Sequence, residues 1–359
     1  MARIELNQLA HRYTPGDDYA LQPMQHVWED GGAYALLGPS GCGKTTLLNI
    51  ISGLVQPSEG AVMFGDQNVT TLPPEQRNIG QVFQFPVIYD TMSVFDNLAF
   101  PLRNRRMDEG YVRQRVTHIA SMLGLEGVLT RRARNLGADA KQKISLGRGL
   151  VREDVAAVLF DEPLTVIDPH LKWQLRRKLR EDLEQLNLTL VYVTHDQTEA
   201  LTFADKVVVM LAGQVLQVGT PQALFERPEH TFVGYFIGSP GMNFMDCQVE
   251  GQTALIDGVQ VPVDGAMAEA ARNAGGNLQL GIRPELIRLA KPGDTAIDLQ
   301  VSAVEDLGDY HLVTAHLGQH KVHVRLDESE KISGDVLSVV FPTDHALLYA
   351  DDKLVAAGA

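Results

Sequence analysis

The chain has 359 residues, of which 45% are hydrophobic and 21% are charged, and its formal net charge at pH 7 is -14. The length allows two domains, while the acidic balance disfavours nucleic acid as a partner, because phosphate backbones attract basic surfaces. The longest apolar runs, such as 155–160, are too short to span a membrane. No signal peptide is predicted, and Cys42 and Cys247 lie far apart, so we expect free thiols in a reducing cytosol.

The first predicted elements, within residues 1–235, alternate short apolar runs with helical patterns, as in an α/β fold. A strand at 33–37 leads into a glycine-rich turn, and the pattern continues as a helix at 46–54. Further apolar strands are predicted at 156–160, 188–193 and 207–211. Short, fully apolar strands are typical of a buried parallel sheet, so this part is predicted to be a parallel α/β domain.

The pattern changes near residue 235, where Gly238-Ser-Pro-Gly241 is a turn or linker signal. A helix is predicted at 266–273, among short strands separated by Gly, Pro and Asp. These strands are predicted at 254–256, 278–282, 297–304, 311–316, 321–324 and 336–341. The pattern is typical of a small β-barrel. The sequence therefore predicts two domains, at 1–235 and 236–359.

A phosphate-binding loop is predicted between the strand at 33–37 and the following helix. It consists of Gly38, Pro39, Ser40, Gly41, Cys42, Gly43, Lys44 and Thr45. Glycines let the backbone wrap closely around phosphates, and the helix adds the positive end of its dipole. Lys44 would reach the β- and γ-phosphates, and Thr45 would offer its hydroxyl to Mg²⁺. A chance glycine turn is the alternative, but the full motif in this context favours a nucleoside triphosphate site.

Polar residues follow two further predicted strands. Asp161 and Glu162 come after the strand at 156–160, where ligands bind in open α/β sheets. Asp161 would hold Mg²⁺, and Glu162 would act as general base on the attacking water. His195 follows the strand at 188–193 and would contact the γ-phosphate. The alternative for all three is a structural or solvated side chain at a strand end.

Together these residues resemble the ATPases of ABC transporters, over nearly the whole chain. Gln84 matches the Q-loop glutamine that touches Mg²⁺ and senses the membrane subunit, and Asp168 matches the D-loop aspartate. His195 matches the switch histidine, Tyr13 stands where an aromatic residue stacks on adenine, and Thr46 is counted among the nucleotide-binding residues. The resemblance implies an α/β P-loop NTPase of the ABC ATPase type, with ATP and Mg²⁺ bound. It also implies a helical subdomain at about 87–153, in which 86–103 receives the membrane subunit.

The C-terminal part narrows the resemblance. Residues 219–244 and the segment LGIRPE at 280–285 are similar to sugar and glycerol-phosphate importers of the maltose-transporter type. In that family the second domain is an oligomer-fold β-barrel used for dimerisation and regulation. The resemblance implies an ATPase peripheral to the cytoplasmic face of the inner membrane. Its partners would be permease subunits and a periplasmic or lipid-anchored solute-binding protein, and the solute a sugar, a polyol such as glycerol, or glycerol phosphate.

The signature motif departs from this family. Where Leu-Ser-Gly-Gly-Gln is usual, the chain reads Leu136-Gly-Ala-Asp139-Ala, so the serine is absent and a carboxylate replaces a glycine. Asp139 with Gln142 also fits a capping box, in which Asp139 would be the N-cap of the next helix. Either way, this motif should serve ATP poorly, while the other catalytic residues are intact. This combination suggests pairing with a second, paralogous ATPase.

Two other functions fit parts of the sequence. A non-hydrolysing regulatory subunit would explain the degenerate signature, but Glu162 and His195 argue against it. A soluble ABC protein acting on ribosomes or DNA commonly has two cassettes or a long coiled-coil insertion, and the chain shows neither. An ATPase that drives solute import is therefore the favoured interpretation.

Overall fold

The computed structural model describes residues 3–165, 167–186, 188–330, 332 and 334–355. Contacts divide the chain into two compact units, one up to Pro221 and one from Gln222 onward. Among the described helices, none is both long and apolar enough to cross a membrane. The predicted α/β class with a following β domain is confirmed.

The N-terminal unit alternates strands and helices as its apolar pattern predicts. Its strands are β1 Ile4–His11, β2 Leu21–Trp28, β3 Ala33–Leu37, β4 Glu59–Phe64, β5 Gln67–Asn68, β6 Ile79–Val82, β7 Ala157–Asp161, β8 Leu190–Thr194, β9 Lys206–Leu211 and β10 Gln214–Gly219. Its helices are α1 Lys44–Ser52, α2 Val94–Asn104, α3 Glu109–Leu123, α4 Ala138–Leu150, α5 Pro169–Leu186 and α6 Gln197–Phe203.

The central sheet has the strand order β10-β9-β3-β8-β7-β6. The pairs β9/β3, β3/β8, β8/β7 and β7/β6 are parallel, and β10 is antiparallel to β9. Alternate side chains of β7 pack into separate clusters on opposite faces of the sheet. Val158 and Phe160 pack with α2, α3 and α4, whereas Ala157 and Leu159 pack with α1 and with β1, β2 and β4. Burial on both faces explains why these strands are continuously apolar. Because β3, β6, β7 and β8 are parallel, their carboxyl ends lie at one edge of the sheet.

A helical subdomain of α2, α3 and α4 lies between β6 and β7. Ser93 caps α2, accepting from the Asp96 N–H at 3.0 Å, and Asp108 caps α3. Apolar residues at helical spacing along these elements, such as Val112, Val116 and Ile119, are fully buried in one cluster. An antiparallel sheet of order β2-β1-β4-β5 contributes to the core on the opposite side.

The C-terminal unit begins with two short helices, α7 Pro221–Glu226 and α8 Thr231–Phe236, of which α7 starts at the boundary. Its other elements are β11 Asn243–Asp246, β12 Gln248–Glu250, β13 Thr253–Ile256, β14 Val259–Pro262, α9 Gly265–Ala274, β15 Leu278–Ile282, β16 Arg288–Leu289, β17 Ile297–Asp306, β18 Tyr310–Leu317, β19 His320–Asp327, β20 Val336–Val340, β21 Leu347–Ala350 and β22 Lys353–Leu354. The strands form antiparallel sheets of order β11-β15-β21-β22, β12-β13-β14 and β16-β20-β17-β18-β19.

The division between the units falls earlier in the chain than the predicted change at 235/236. Arg283, which is 1% exposed, explains the difference. Its guanidinium donates to the carbonyl of Phe225 at 3.0 Å, to that of Gly234 at 3.0 Å, and to those of Leu224 and Ile237. The helices that precede the Gly238–Gly241 turn are therefore fastened to the C-terminal unit.

Candidate nucleotide-binding site

The predicted phosphate loop connects β3 to α1, in the context that the motif requires. Gly43 has a φ of 100°, and a Cβ at this position would lie 2.6 Å from Leu21 Cδ2. A Cβ on Gly38 would lie 2.3 Å from the Met210 carbonyl oxygen. Only glycine fits these two positions, where the backbone runs close to its neighbours. The N-terminus of α1 has no side-chain cap, so its first N–H groups remain available.

Lys44 closes this loop. Its ammonium donates to the carbonyls of Gly38 at 2.8 Å and Pro39 at 2.9 Å, and the side chain is buried. Its Nζ also lies 3.7 Å from the Cys42 sulfur. The Lys44 ammonium thus lies against the loop backbone, where an anion bound by the loop would also contact the lysine.

Cys42 is a free thiol, as predicted, and so is Cys247. The Cys42 side chain is only 3% exposed, because it packs under the loop. A thiol reagent therefore has no direct path to it while the loop keeps this conformation.

The two predicted acidic residues lie at the end of β7. Burial raises the pKa of Asp161 above its ordinary value, and the nearby charge of Glu162 raises it further, while the charge of Lys44 works in the opposite direction. Lys44 and both carboxylates are therefore close enough to interact electrostatically. Glu162 has a φ of 45°, and its N–H donates to the Val193 carbonyl at 3.0 Å. This turn directs the Glu162 side chain away from the strand.

Three strand ends meet at the Glu162 carboxylate. His195 Nδ1, from the loop after β8, lies 3.1 Å from Oε1. Gln84, from the segment after β6, donates its Nε2–H to Oε2 at 3.2 Å. The Thr165 hydroxyl lies 3.4 Å from the same Oε2. The His195 side chain is 57% exposed and that of Glu162 21%, so the cluster faces solvent at one side.

The remaining predicted site residues lie in different surroundings. Tyr13 is 65% exposed, and its hydroxyl is 2.9 Å from the hydroxyl oxygen of Thr46, in the first turn of α1. Its ring packs edge-on against His11 with centroids 4.7 Å apart. Ser40, Gly41 and Thr45 are on or next to the loop and partly or fully exposed. Asp168 lies directly before α5, exposed, where its carbonyl accepts from the Lys172 N–H at 3.0 Å.

The signature segment corrects one prediction. Helix α4 begins at Ala138 with Gly137 as its N-cap, so Asp139 lies inside the first turn and is not the cap. The capping box is therefore wrong: the Gln142 side chain does not turn back to Asp139. The Asp139 carboxylate pairs instead with Lys143 at 2.9 Å, one turn along the helix. The reason is that Gly137 is already extended at φ -70°, ψ 169°, which starts the helix earlier.

Gln142 has a different place, which the sequence did not reveal. It is fully buried, and its Nε2 donates to the carbonyls of Pro163 at 2.7 Å and Phe83 at 3.3 Å. These carbonyls directly neighbour Glu162 and Gln84 in the chain. The Gln142 amide thus links helix α4 to the two segments that carry Gln84 and Glu162. The sequence around Gln142 could not predict these two contacts, because Phe83 and Pro163 are distant from it in the chain.

An exposed apolar stripe surrounds Gln84 in the chain. Phe83 is 36% exposed, Phe85 69%, Val87 52% and Tyr89 40%. Arg148 donates to the Val87 carbonyl at 2.6 Å and lies 4.5 Å from the Tyr89 ring centroid. A groove of about 200 Å³ beside the stripe is lined by Phe83, Val87, Ser145 and Arg148, among others. Single exposed apolar residues are common on protein surfaces, whereas here four lie at alternate positions of one short segment.

The donor set fits ATP with Mg²⁺. Backbone N–H groups and Lys44 suit phosphate oxygens, while hydroxyl, amide and carboxylate oxygens are the ligands that Mg²⁺ prefers. Within the described residues, no group of three or more His, Cys, Asp or Glu side chains is arranged to hold a metal by itself. Magnesium in phosphate sites usually has only one or two protein carboxylates as ligands. Fold and site together define a P-loop ATPase with an inserted helical subdomain.

Comparison with known families identifies the class more closely. The ABC transporter profile matches residues 21–165, the MalK OB fold domain residues 238–287, and the TOBE domain residues 280–348. The sn-glycerol-3-phosphate import ATP-binding protein UgpC of Escherichia coli K12 is 38% identical over 334 residues, which is 92% of each chain. That of Cupriavidus necator is 38% identical over 363 residues, covering 98% of each chain.

Solved structures agree with this result. A dimer of the ATP-binding cassette MJ0796 in a post-hydrolysis state with ADP and Pi is 25% identical, with a TM-score of 0.54, and covers 60% of this chain and 98% of its own. CbiO1 of Clostridium perfringens, part of the ABC transporter complex cbiONQ, is 26% identical with a TM-score of 0.57, covering 62% and 90%. The chain belongs to the ATP-binding subunits of ABC transporters. It binds and hydrolyses ATP to drive solute import, and a purely regulatory role finds no support.

Proposed function

We propose that this chain powers the import of sn-glycerol 3-phosphate or a closely related polyol or sugar. The proposal rests on the likeness to glycerol-phosphate import ATPases across 98% of both chains, which includes the β domain as well as the ATPase. Uptake of labelled sn-glycerol 3-phosphate, glycerol and a sugar by cells with and without the chain tests the solute. Unchanged glycerol-phosphate uptake in its absence would contradict this assignment.

At the site, we assign the γ-phosphate to the loop N–H groups and Lys44. Thr45, Gln84 and Asp161 would hold Mg²⁺, which neutralises phosphate charge during transfer. Glu162 would take a proton from the attacking water, and His195, within hydrogen-bond distance of its carboxylate, would orient that water. Tyr13 would stack on adenine, and Thr46 would fix the tyrosine through its hydroxyl. Asp168 would face the nucleotide of the second subunit.

For the membrane partners, we assign the permease to the stripe Phe83–Tyr89 and the neighbouring segment 86–103. The apolar stripe borders a groove and contains Gln84 within its span of the chain, so a helix docked there would sense the site. The chain would then lie peripherally on the cytoplasmic face of the inner membrane, and a solute-binding protein would complete the transporter. Phe85→Ser, an exposed site, should reduce co-purification with the permease without changing nucleotide affinity.

We further propose that the second ATPase is a paralogue with an intact signature. The names of the relatives mention no such subunit, so this step rests on the signature of this chain. An absent serine removes a hydrogen bond to phosphate, worth about 1.5–3 kcal/mol when the partner is charged. The Asp139 carboxylate would add repulsion, reduced by its ion pair with Lys143 and its partial exposure. ATP facing this motif would therefore bind at least tenfold more weakly.

The test compares the two P-loop lysines within the assembled transporter. Lys44→Ala in this chain should stop ATP turnover, while the same change in the paralogue should cost much less. Equal losses, or strong turnover by this chain as a homodimer, would refute the asymmetric pair. Joint Gly137→Ser and Asp139→Gly should raise turnover at the weak site, because these changes return the serine and remove the carboxylate.

A further inference from the structure

Glu199 is a buried carboxylate in the first turn of α6, shortly after His195. Its side chain is 5% exposed. The Thr194 hydroxyl donates to Oε2 at 2.9 Å, and the Tyr192 hydroxyl donates to the same oxygen at 3.1 Å. Lys172 Nζ lies 3.6 Å from Oε1. Groups from β8 and α5 thus converge on one side chain of α6.

The first connection fixes the loop that carries His195. The Thr194 hydroxyl donates to Glu199 and accepts from the Asp196 N–H at 3.0 Å, so the turn 194–196 is held from inside. The Asp196 carboxylate caps α6, accepting from the Thr198 N–H at 2.7 Å and the Glu199 N–H at 3.1 Å. The position of His195 therefore depends on hydrogen bonds that end at Glu199.

The second connection reaches the start of α5. The Lys172 N–H donates to the Asp168 carbonyl, so the lysine lies one turn beyond the residue that leads into this helix. Its ammonium pairs with the Glu199 carboxylate, and its side chain is 25% exposed, so water screens the charge that is left when one partner is removed. The ion pair thus joins the segment of Asp168 to the segment of His195.

The tyrosine completes the surroundings of the carboxylate. Burial raises the pKa of Tyr192 well above its ordinary value, and the charge of Glu199 adds to this effect. Tyr192 therefore remains a hydrogen-bond donor throughout the working pH range. Its ring packs on Phe203 with centroids 4.6 Å apart, which holds the hydroxyl in place beside α6.

We propose that Glu199 is a positioning residue that couples the His195 loop to the start of α5, so that the two segments move together during ATP hydrolysis. This inference rests on the proposed function, in which His195 and Asp168 act at the nucleotide. Glu199 itself does not touch the reacting atoms. Its effect should appear in the rate of hydrolysis and hardly at all in ATP binding, because the phosphate loop lies on other elements.

The experiment measures ATP turnover of the assembled transporter carrying Glu199→Gln, Lys172→Met, or both. Glutamine keeps the shape of the side chain, and methionine keeps most of the lysine stem. We expect each single variant to lower kcat about 10-fold with KM for ATP changed by less than about 2-fold. The double variant should be no slower than the slower single variant, since both changes break one connection.

Matched controls separate this role from a merely structural one. Glu181 forms an exposed ion pair with Arg177 at 2.8 Å, on the helix α5 that also carries Lys172. Glu181→Gln breaks this pair and should leave kcat unchanged. Melting temperature and ATP affinity should stay near wild type in all three test variants. Additive losses in the double variant, or parallel losses of stability, ATP binding and kcat, would overturn the proposal.

His195→Ala distinguishes the two proposals. If this variant hydrolyses ATP at the wild-type rate, the site assignment itself fails. If it is inactive while Glu199→Gln keeps wild-type kcat, the site assignment stands and the coupling role is refuted. Should Glu199→Gln fail to fold, Lys172→Met decides alone, because Lys172 is 25% exposed, and wild-type kcat in that variant refutes the coupling.

Discussion

Replacing Glu162 with glutamine tests the assignment of the general base. The change removes the carboxylate charge but keeps the side-chain shape, and the amide oxygen still accepts from Gln84 or His195. A positioned general base contributes about 10²- to 10⁴-fold in rate, or about 3–5 kcal/mol of barrier. We therefore expect kcat to fall by about 100-fold or more while ATP affinity remains, because the loop and Lys44 are unchanged.

The same variant has a second, independent consequence at Asp161. The charge of Glu162 raises the pKa of Asp161, so its removal should lower that pKa. A carboxyl with a raised pKa binds Mg²⁺ less well as the pH falls through that pKa. The acid limb of Mg²⁺-dependent ATP binding should therefore shift to lower pH in Glu162→Gln.

The assays are single-turnover hydrolysis and equilibrium ATP binding by the assembled transporter, with Mg²⁺ varied between pH 4 and 8. Glu75→Gln, an exposed carboxylate, is the matched control and should change neither quantity. Near wild-type turnover with normal ATP binding would refute the role of Glu162. An unshifted acid limb would refute the electrostatic link to Asp161.

Three further predictions concern single side chains. Gly43→Ala should abolish ATP binding, because its Cβ would meet Leu21 at a strained φ, whereas Gly137→Ala, in open space at a negative φ, should be tolerated; equal binding by both variants would contradict this. Arg283→Met should destabilise the C-terminal unit by about 3 kcal/mol in denaturant unfolding, since buried carbonyls lose their donor; a loss below about 1 kcal/mol would count against it. Alkylation of Cys42 should be slow in the native protein and fast after unfolding, and modified protein should not bind ATP; rapid native alkylation would show that the loop opens.

Much of the site could be predicted from the sequence, because its signals are local. The loop motif fixes glycines, a lysine and a helix start within a few residues, and the strand at Ala33–Leu37 was predicted with the bounds that the structure has. Glu162 and His195 follow predicted apolar strands, and parallel strands bring their carboxyl ends to one edge. The 3.1 Å contact between His195 and Glu162 follows from that rule. Gln84 was identified only through the family resemblance, since the strand before it, Ile79–Val82, was not predicted.

Other features depend on partners that are distant in sequence. The pattern Asp139-x-x-Gln142 is compatible with a cap, but the helix starts at Ala138 with Gly137 as its N-cap, and Gln142 donates instead to the carbonyls of Phe83 and Pro163. The turn at Gly238–Gly241 suggested a boundary, yet Arg283 fastens the preceding helices to the second unit.

Composition and local spacing by themselves thus determined the class of fold, the phosphate loop and the residues at the strand ends. The tertiary structure decided which buried polar groups satisfy one another: Gln142 with two site segments, Arg283 with the helices before the turn, and Glu199 with Lys172. The physical reason is that a buried polar group must find its partner wherever packing brings one. These partners are distant in sequence, so no periodic pattern along the chain predicts which groups will pair.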